Sequence, residues 1–260
     1  MNAYLVSHNG LGDNLFMVGA LRFLSPLYDT MFFLCKDIYL ANVEQFFTGT
    51  NIQCVAFNSK NEYEDIRRIL AGVVGDVYVC GPCHKYYLTK RVSARIVCAP
   101  SNYVIDHDQL TTENYSFIEG FYRDAGLTLT QFFEEFSLPR TQGAADMWAR
   151  ASGFHTIFVQ LKASDGRRLD ISRLRERLGD PNVLFACNDE NLYPETSEKF
   201  ALAQSFVFRP VVHYTELIQN CAEIYIIDSC FIGLVLPYLK TGRLKATTVR
   251  IVLRGSGEAV

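Results

Sequence analysis

Short apolar runs rich in β-branched and aromatic residues alternate along this chain with stretches in which apolar positions recur every three or four residues. "YLVS" (4–7) precedes helical spacing over 13–25, "MFFLC" (31–35) precedes a second helix over 39–47, and "IQCVAF" (52–57) a third over 61–71, before "DVYVC" (76–80). Strands alternating with amphipathic helices predict βαβ units and a parallel sheet. "NYSFIEGFYRDAGL" (114–127) has helical spacing, and the polar stretch "SLPRTQGAAD" (137–146), with Pro139 and Gly143, predicts a domain boundary. Beyond it the alternation resumes: "TIFVQL" (156–161), the charged helix "DISRLRERL" (170–178), "NVLFAC" (182–187), the strand-like run "SFVF" (205–208), "YTELIQNC" (214–221) and "EIYIID" (223–228). The expected fold class is α/β, with two Rossmann-like lobes over 1–140 and 141–260 and a cleft between the lobes.

Composition narrows the partners. Of the 260 residues 49% are hydrophobic, enough for a substantial core. A net charge of -3 and a pI near 6.0 supply no positive field, which argues against a nucleic-acid partner held by its phosphates. No segment approaches the roughly 20 apolar residues of a membrane span, and Asp13 interrupts the first apolar stretch, so a cytoplasmic chain without a transmembrane segment is expected. The eight cysteines are scattered through apolar segments and are expected to stay thiols, as in a reducing compartment; the sequon Asn114-Tyr115-Ser116 then has no use.

Two turns carry candidate chemistry. In "HNGLGDNL" (8–15) a strand feeds a helix through glycines, presenting backbone N–H groups to an anionic or polar ligand. The spacing of Gly10, Gly12 and Asp13 lacks the third glycine of the dinucleotide fingerprint, Leu15 standing in its place, so an NAD site is disfavoured. Asp13 is expected at the first helical position, either as a general base or as a helix cap. The second turn, Asp228-Ser229, ends the run "EIYIID" and reads as an N-cap that leaves amides for an anion. Pro237 is expected to kink the following helix without ending it.

"NGLGDNLFMVGALRFLSPLYD" (9–29) resembles the start of GT-B glycosyltransferases of the heptosyltransferase type, in which a strand enters a G-x-G-D turn and a helix carrying Leu-Arg, here Leu21 and Arg22. "YTELIQNCAEIYIIDSCFIGLVL" (214–236) resembles the same family's helix with Glu-Leu, strand, and Asp-Ser turn opening a helix. The resemblance implies an inverting, metal-independent transfer of a sugar from a nucleotide-diphosphate donor to a carbohydrate hydroxyl, with no cofactor. It implies Asp13 as the base, with Asn9, Gly10, Gly12 and Asn14 in the acceptor-side turn. Ser229 would face the donor diphosphate, with Asp228 shaping its turn. "QLKASDGRR" (160–168) lies where the family holds donor phosphates, which makes Lys162, Ser164, Arg167 and Arg168 candidates, since a diphosphate leaving group needs positive charge when no metal supplies it. "CNDEN" (187–191) offers Glu190 to a ribose hydroxyl. The chain departs from the family after the Asp-Ser turn: Cys230 and Gly233 precede Leu234, and the usual histidine contact to the donor is missing.

Rival signals remain. "CGPC" (80–83) reads as the Cys80/Cys83 dithiol of thioredoxin-like oxidoreductases, although the residues behind it fit strand-like or irregular spacing as readily as a helix. "IDHD" (105–108) offers Asp106 and Asp108 as the Asp-x-Asp with which GT-A glycosyltransferases hold a divalent cation. The basic run His84, Lys85, Lys90, Arg91 and Arg95 is a candidate acceptor groove or a solvated face. A noncatalytic nucleotide-binding module would keep both turns. His107, His155 and His213 lack metal-ligand spacing.

Overall fold

The computed structural model describes residues 1–7, 10–81, 95–97 and 116–252. The chain divides into two compact units, Met1–Pro139 and Arg140–Val260.

The N-terminal unit is built on five parallel strands: β1 (Ala3–Val6), β2 (Met31–Lys36), β3 (Ile52–Phe57), β4 (Asp76–Val79) and β5 (Arg95–Val97). Their order, β3-β2-β1-β4-β5, puts the first strand inside the sheet and reverses direction between β1 and β4. Central strands of a parallel sheet are covered on both faces, which is why they are short apolar runs without polar alternation. The helices are α1 (Leu11–Phe16), α2 (Val18–Leu24), α3 (Leu40–Phe46), α4 (Glu62–Leu70), α5 (Ser116–Asp124) and α6 (Leu129–Glu134). Ile66 and Leu70, one turn apart on α4, bury themselves against Val6, Leu34, Phe57, Val77 and Val79. Each such side chain contributes about 1.5–3 kcal/mol of burial free energy.

The single helix expected over 13–25 starts earlier, at Leu11, and is broken at Met17. The cause is the buried phenol of Tyr122 on α5, which donates to the Phe16 carbonyl at 2.6 Å and accepts from the Ala20 amide at 3.2 Å. It thereby stands between the two groups that would otherwise close one i→i−4 bond. Gly19 permits the approach, because a Cβ there would lie 2.9 Å from the phenol oxygen and 2.3 Å from the Gln131 carbonyl of α6.

The C-terminal unit carries four parallel strands in the order β7-β6-β8-β9: β6 (His155–Gln160), β7 (Val183–Cys187), β8 (Glu223–Ile227) and β9 (Thr248–Val252). Its helices are α7 (Gln142–Ala151), α8 (Ser172–Arg175), α9 (Phe200–Gln204), α10 (Thr215–Asn220) and α11 (Ile232–Lys240). α11 is buried from Ile232 through Tyr238 and continues through Pro237. "SFVF" is not a strand. Its amides bond three residues back, Ser205 to Leu202, Phe206 to Ala203 and Val207 to Gln204, so the run continues α9 as turns. It ends at Phe208, which adopts a left-handed φ of +50° with its N–H on the Asn188 carbonyl. β9 is a strand that the apolar pattern did not announce. Among the described residues no helix is long and apolar enough to cross a membrane.

Candidate functional site

In a doubly wound sheet, ligands bind beyond the carboxyl ends of the strands, where the strand order reverses. In the N-terminal unit that point lies between β1 and β4. β1 leads through Ser7 to Gly10, whose amide donates to Asp13 Oδ2 at 2.8 Å. Asp13 is therefore the third residue of α1 and caps it, rather than standing at its first position, and Gly12 belongs to the first turn of the helix. The cap is what draws the helix start forward: an acid at the third position satisfies an amide that the helix leaves unpaired. Asn14, the next residue, is 1% exposed and its Nδ2 finds no partner among the described residues.

The end of β4 faces the same point. The Cys80 amide donates to the Val6 carbonyl at 2.9 Å and the side chain is fully buried. Gly81 has φ +83°, its amide donates to Asp124 Oδ2 at 2.8 Å, and a Cβ there would come within 2.7 Å of the Phe121 ring. Asp124 is itself fully buried. The first half of "CGPC" thus serves a glycine-dependent backbone turn with a buried thiol, unlike the accessible helix-terminal thiol that dithiol exchange requires. Arg95 lies at the opposite, amino edge of the sheet, bonding Asp76 through Nε at 2.6 Å. Asn9, Cys83, His84, Lys85, Lys90, Arg91, Asp106, His107, Asp108 and the sequon's Asn114 and Tyr115 lie outside the described residues.

In the C-terminal unit the order reverses between β6 and β8, and the register pairs Gln160 with Ile226, so Lys162 and Asp228 leave the sheet side by side. Residues 162–168 form a small hairpin instead of an open loop: Lys162 and Arg168 pair as an antiparallel bridge, Ala163 N–H meets the Arg167 carbonyl at 3.0 Å, and Gly166 turns with φ +88°. Glu190, after β7, accepts from Arg168 at 2.8 Å and lies 3.8 Å from Lys162 Nζ. The structure therefore joins Lys162, Arg168 and Glu190 in one cluster. Arg167 instead donates to Asp165 at 2.8 Å, and Ser164 is exposed in the hairpin.

Asp189, beside Glu190, was not legible in the sequence. It is 7% exposed and its carboxylate accepts from the amides of Leu161 at 2.6 Å and Lys162 at 3.0 Å, and from Gln160 Nε2 at 3.3 Å. Gln160 Nε2 also donates to the Lys162 carbonyl at 2.8 Å, and Asn188 Nδ2 donates to Gln160 Oε1 at 3.2 Å. The only sequence signal was an acid just past an apolar run.

The Asp228-Ser229 turn is not the N-cap of α11. Asp228 donates its amide to the Val252 carbonyl at 2.9 Å, continuing the sheet, and the helix begins three residues after Ser229, behind Phe231. Ser229 still orders the turn, its hydroxyl accepting from Phe231 N–H at 3.4 Å and its carbonyl from Ile232 N–H at 3.1 Å. Burial of its sulfur pushes the Cys230 thiol up to about 12, which favours the protonated form. Among the described residues no group of three or more His, Cys, Asp or Glu side chains is arranged to hold a metal.

No family model and no curated protein matches the sequence. Solved structures match the fold. E. coli ADP-heptose lipopolysaccharide heptosyltransferase II is similar over 100% of this chain and 92% of its own, with a TM-score of 0.56 at 13% identity. E. coli heptosyltransferase WaaC with ADP-2-deoxy-2-fluoro heptose is similar over 96% of this chain and 92% of its own, at TM-score 0.51 and 13% identity. A family 9 glycosyl transferase from Veillonella parvula is similar over 90% of this chain and 77% of its own, at TM-score 0.54 and 11% identity. At such identities the likeness is one of fold alone: the chain shares the α/β fold of these solved structures.

Proposed function

We propose that this protein is a glycosyltransferase that moves a sugar from a nucleotide-diphosphate donor to a carbohydrate hydroxyl, with inversion and without a metal. The observation that carries the reading is the likeness of fold to solved heptosyltransferases across the whole chain. The donor belongs on the C-terminal unit, at the cations Lys162 and Arg168, and the acceptor on the N-terminal unit, at the turn from Gly10 to Asn14.

In this reading the acceptor oxygen attacks the anomeric carbon from the face opposite the diphosphate. The carbon–oxygen bond to the donor phosphate breaks, its electron pair leaves with the diphosphate, and the acceptor proton passes to the Asp13 carboxylate. Lys162 and Arg168 meet the leaving charge, joined by amides of the turn at Ser229, with Asp228 shaping that turn. A bound diphosphate competes with Glu190 for the two cations, which releases that carboxylate for a ribose hydroxyl.

Two substitutions separate base from cap. Asp13→Asn keeps an oxygen for the Gly10 amide but cannot take a proton, so turnover should fall about 10²- to 10⁴-fold while nucleotide affinity and unfolding temperature hold. Asp13→Ala should lose turnover and also about 1 kcal/mol of stability with the cap. Sugar transfer from a panel of nucleotide sugars, with and without a chelator, checks both points. Wild-type turnover in Asp13→Asn removes the base, and turnover abolished by the chelator removes metal independence.

A further inference from the structure

We propose that Asp189 is a positioning residue for the donor diphosphate, acting through Lys162; the inference rests on the donor reading above. A carboxylate buried this deeply is ordinarily matched by a cation. Asp189 is matched by its own chain: one oxygen takes the consecutive amides of Leu161 and Lys162 and the other takes Gln160 Nε2, while Gln160 returns a bond to the Lys162 carbonyl. Both backbone polar groups of Lys162 are thus tied to one buried pair of side chains.

Two consequences follow for the ligand. The amide of Lys162 at the strand end is already satisfied, so it offers no donor to a phosphate oxygen, and this position can serve a diphosphate only through its ammonium. The ammonium stem, in turn, starts from a backbone held from both sides at the point where Lys162 enters its bridge with Arg168. Holding the stem lowers the ordering cost of the side chain when ligand binds. Glu190, the neighbouring acid, is the half-exposed and exchangeable partner of the same cations, whereas Asp189 is the fixed one.

The test is calorimetric titration of the whole protein with ADP, GDP, UDP and CDP, and with inorganic pyrophosphate. In the tightest case Lys162→Ala should weaken binding tenfold or more, as loss of a charge-assisted contact does. Asp189→Asn should weaken binding about fivefold with the unfolding temperature within a few degrees of wild type, and adding it to Lys162→Ala should change affinity less than twofold, because coupled sites are non-additive. Gln160→Leu cuts the same tether from the other side and stands in if Asp189→Asn fails to fold; it should show the same non-additivity. A wild-type affinity in both tether variants, or tether effects that multiply with that of Lys162→Ala, overturns the inference while the donor reading stands. No effect of Lys162→Ala, or no binding of any probe by wild type, overturns both.

Discussion

At the amino edge of the N-terminal sheet the first residue of β4, Asp76, is buried and held by Arg95 and by the Tyr28 hydroxyl at 2.7 Å; at the same edge of the C-terminal sheet the first residue of β8, Glu223, is buried and held by Arg177, by His155 at 2.6 Å and by the Tyr225 hydroxyl at 2.7 Å. Among the described residues the carboxyl edges share no such likeness. One presents glycine-dependent turns with buried Asn14 and Cys80; the other presents a hairpin of lysine and arginine over two acids. Repetition of topology thus repeats the charge lock at the edge where strands begin and leaves the edge where strands end free to diverge. Charges at the amino edges are closed among themselves and act on stability. The Lys162–Glu190 and Arg168–Glu190 pairs of the C-terminal carboxyl edge are half-exposed, which suits the exchange with a ligand proposed above.

The sharpest way to break that contrast is Glu223→Gln. Burial by itself would raise this carboxyl, but hydrogen bonds from Arg177, His155 and Tyr225 overturn that and hold it at about 2, against an ordinary 4.5. A carboxyl depressed by folding adds stability that is complete above pH 4.5 and is lost as pH falls toward 2. Removing the charge strands the Arg177 guanidinium, so the variant should lose about 3 kcal/mol in urea unfolding at pH 7. The gap between wild type and variant should close between pH 4.5 and 2. A gap unchanged by acid would mean that Glu223 is no lock.

How much of this was readable beforehand divides along the same line. β1, β2, β4, β6 and β8 were legible because interior strands of a parallel sheet must be apolar throughout, and that run is the signal; the edge strands β3 and β7 were legible because their runs stay apolar, Gln53 apart. β9 escaped because it is an edge strand whose exposed Thr248 and half-buried Arg250 break the run. "SFVF" misled for the converse reason: its apolar content serves one fully buried ring, Phe206, while Phe208 stays exposed. The cation and acid of Lys162 and Glu190 could be named from their places after two strands. Asp189 could not, since its partners are backbone amides just past the end of β6, 27 to 28 residues away, and no spacing of residue types encodes them. The break at Met17 was hidden likewise, being imposed by Tyr122 from 102 to 106 residues further on.

Asp76→Asn tests the lock in the other sheet and should cost less than Glu223→Gln. Arg95 holds the Asp76 carboxyl below the usual range, with help from Tyr28, but its side chain is 71% exposed against 35% for Arg177, and water screens the pair. Equal losses from the two substitutions would show that exposure of the arginine does not grade the locks. Tyr122→Phe should cost less again, about 1 kcal/mol, because the Ala20 amide and Phe16 carbonyl left behind can close toward the helical bond that the phenol displaced. Amide exchange of Ala20 reads this directly: protection should persist in the variant, and its complete loss would mean that the two helices cannot rejoin.

The smallest stability effect belongs to Glu190→Gln, and it is the most informative about the carboxyl edge. Both its partners, Lys162 and Arg168, have half-exposed side chains, and such pairs contribute about 0–1 kcal/mol. The unfolding free energy should therefore shift by less than about 0.5 kcal/mol. Affinity for inorganic pyrophosphate should rise severalfold, because the carboxylate that competes for the two cations is gone, while affinity for nucleoside diphosphates should rise less if the same carboxylate meets a ribose hydroxyl. A loss of stability comparable to that of Glu223→Gln would make the hairpin a structural lock after all. An unchanged pyrophosphate affinity would mean that Lys162 and Arg168 are not the cations an incoming diphosphate meets.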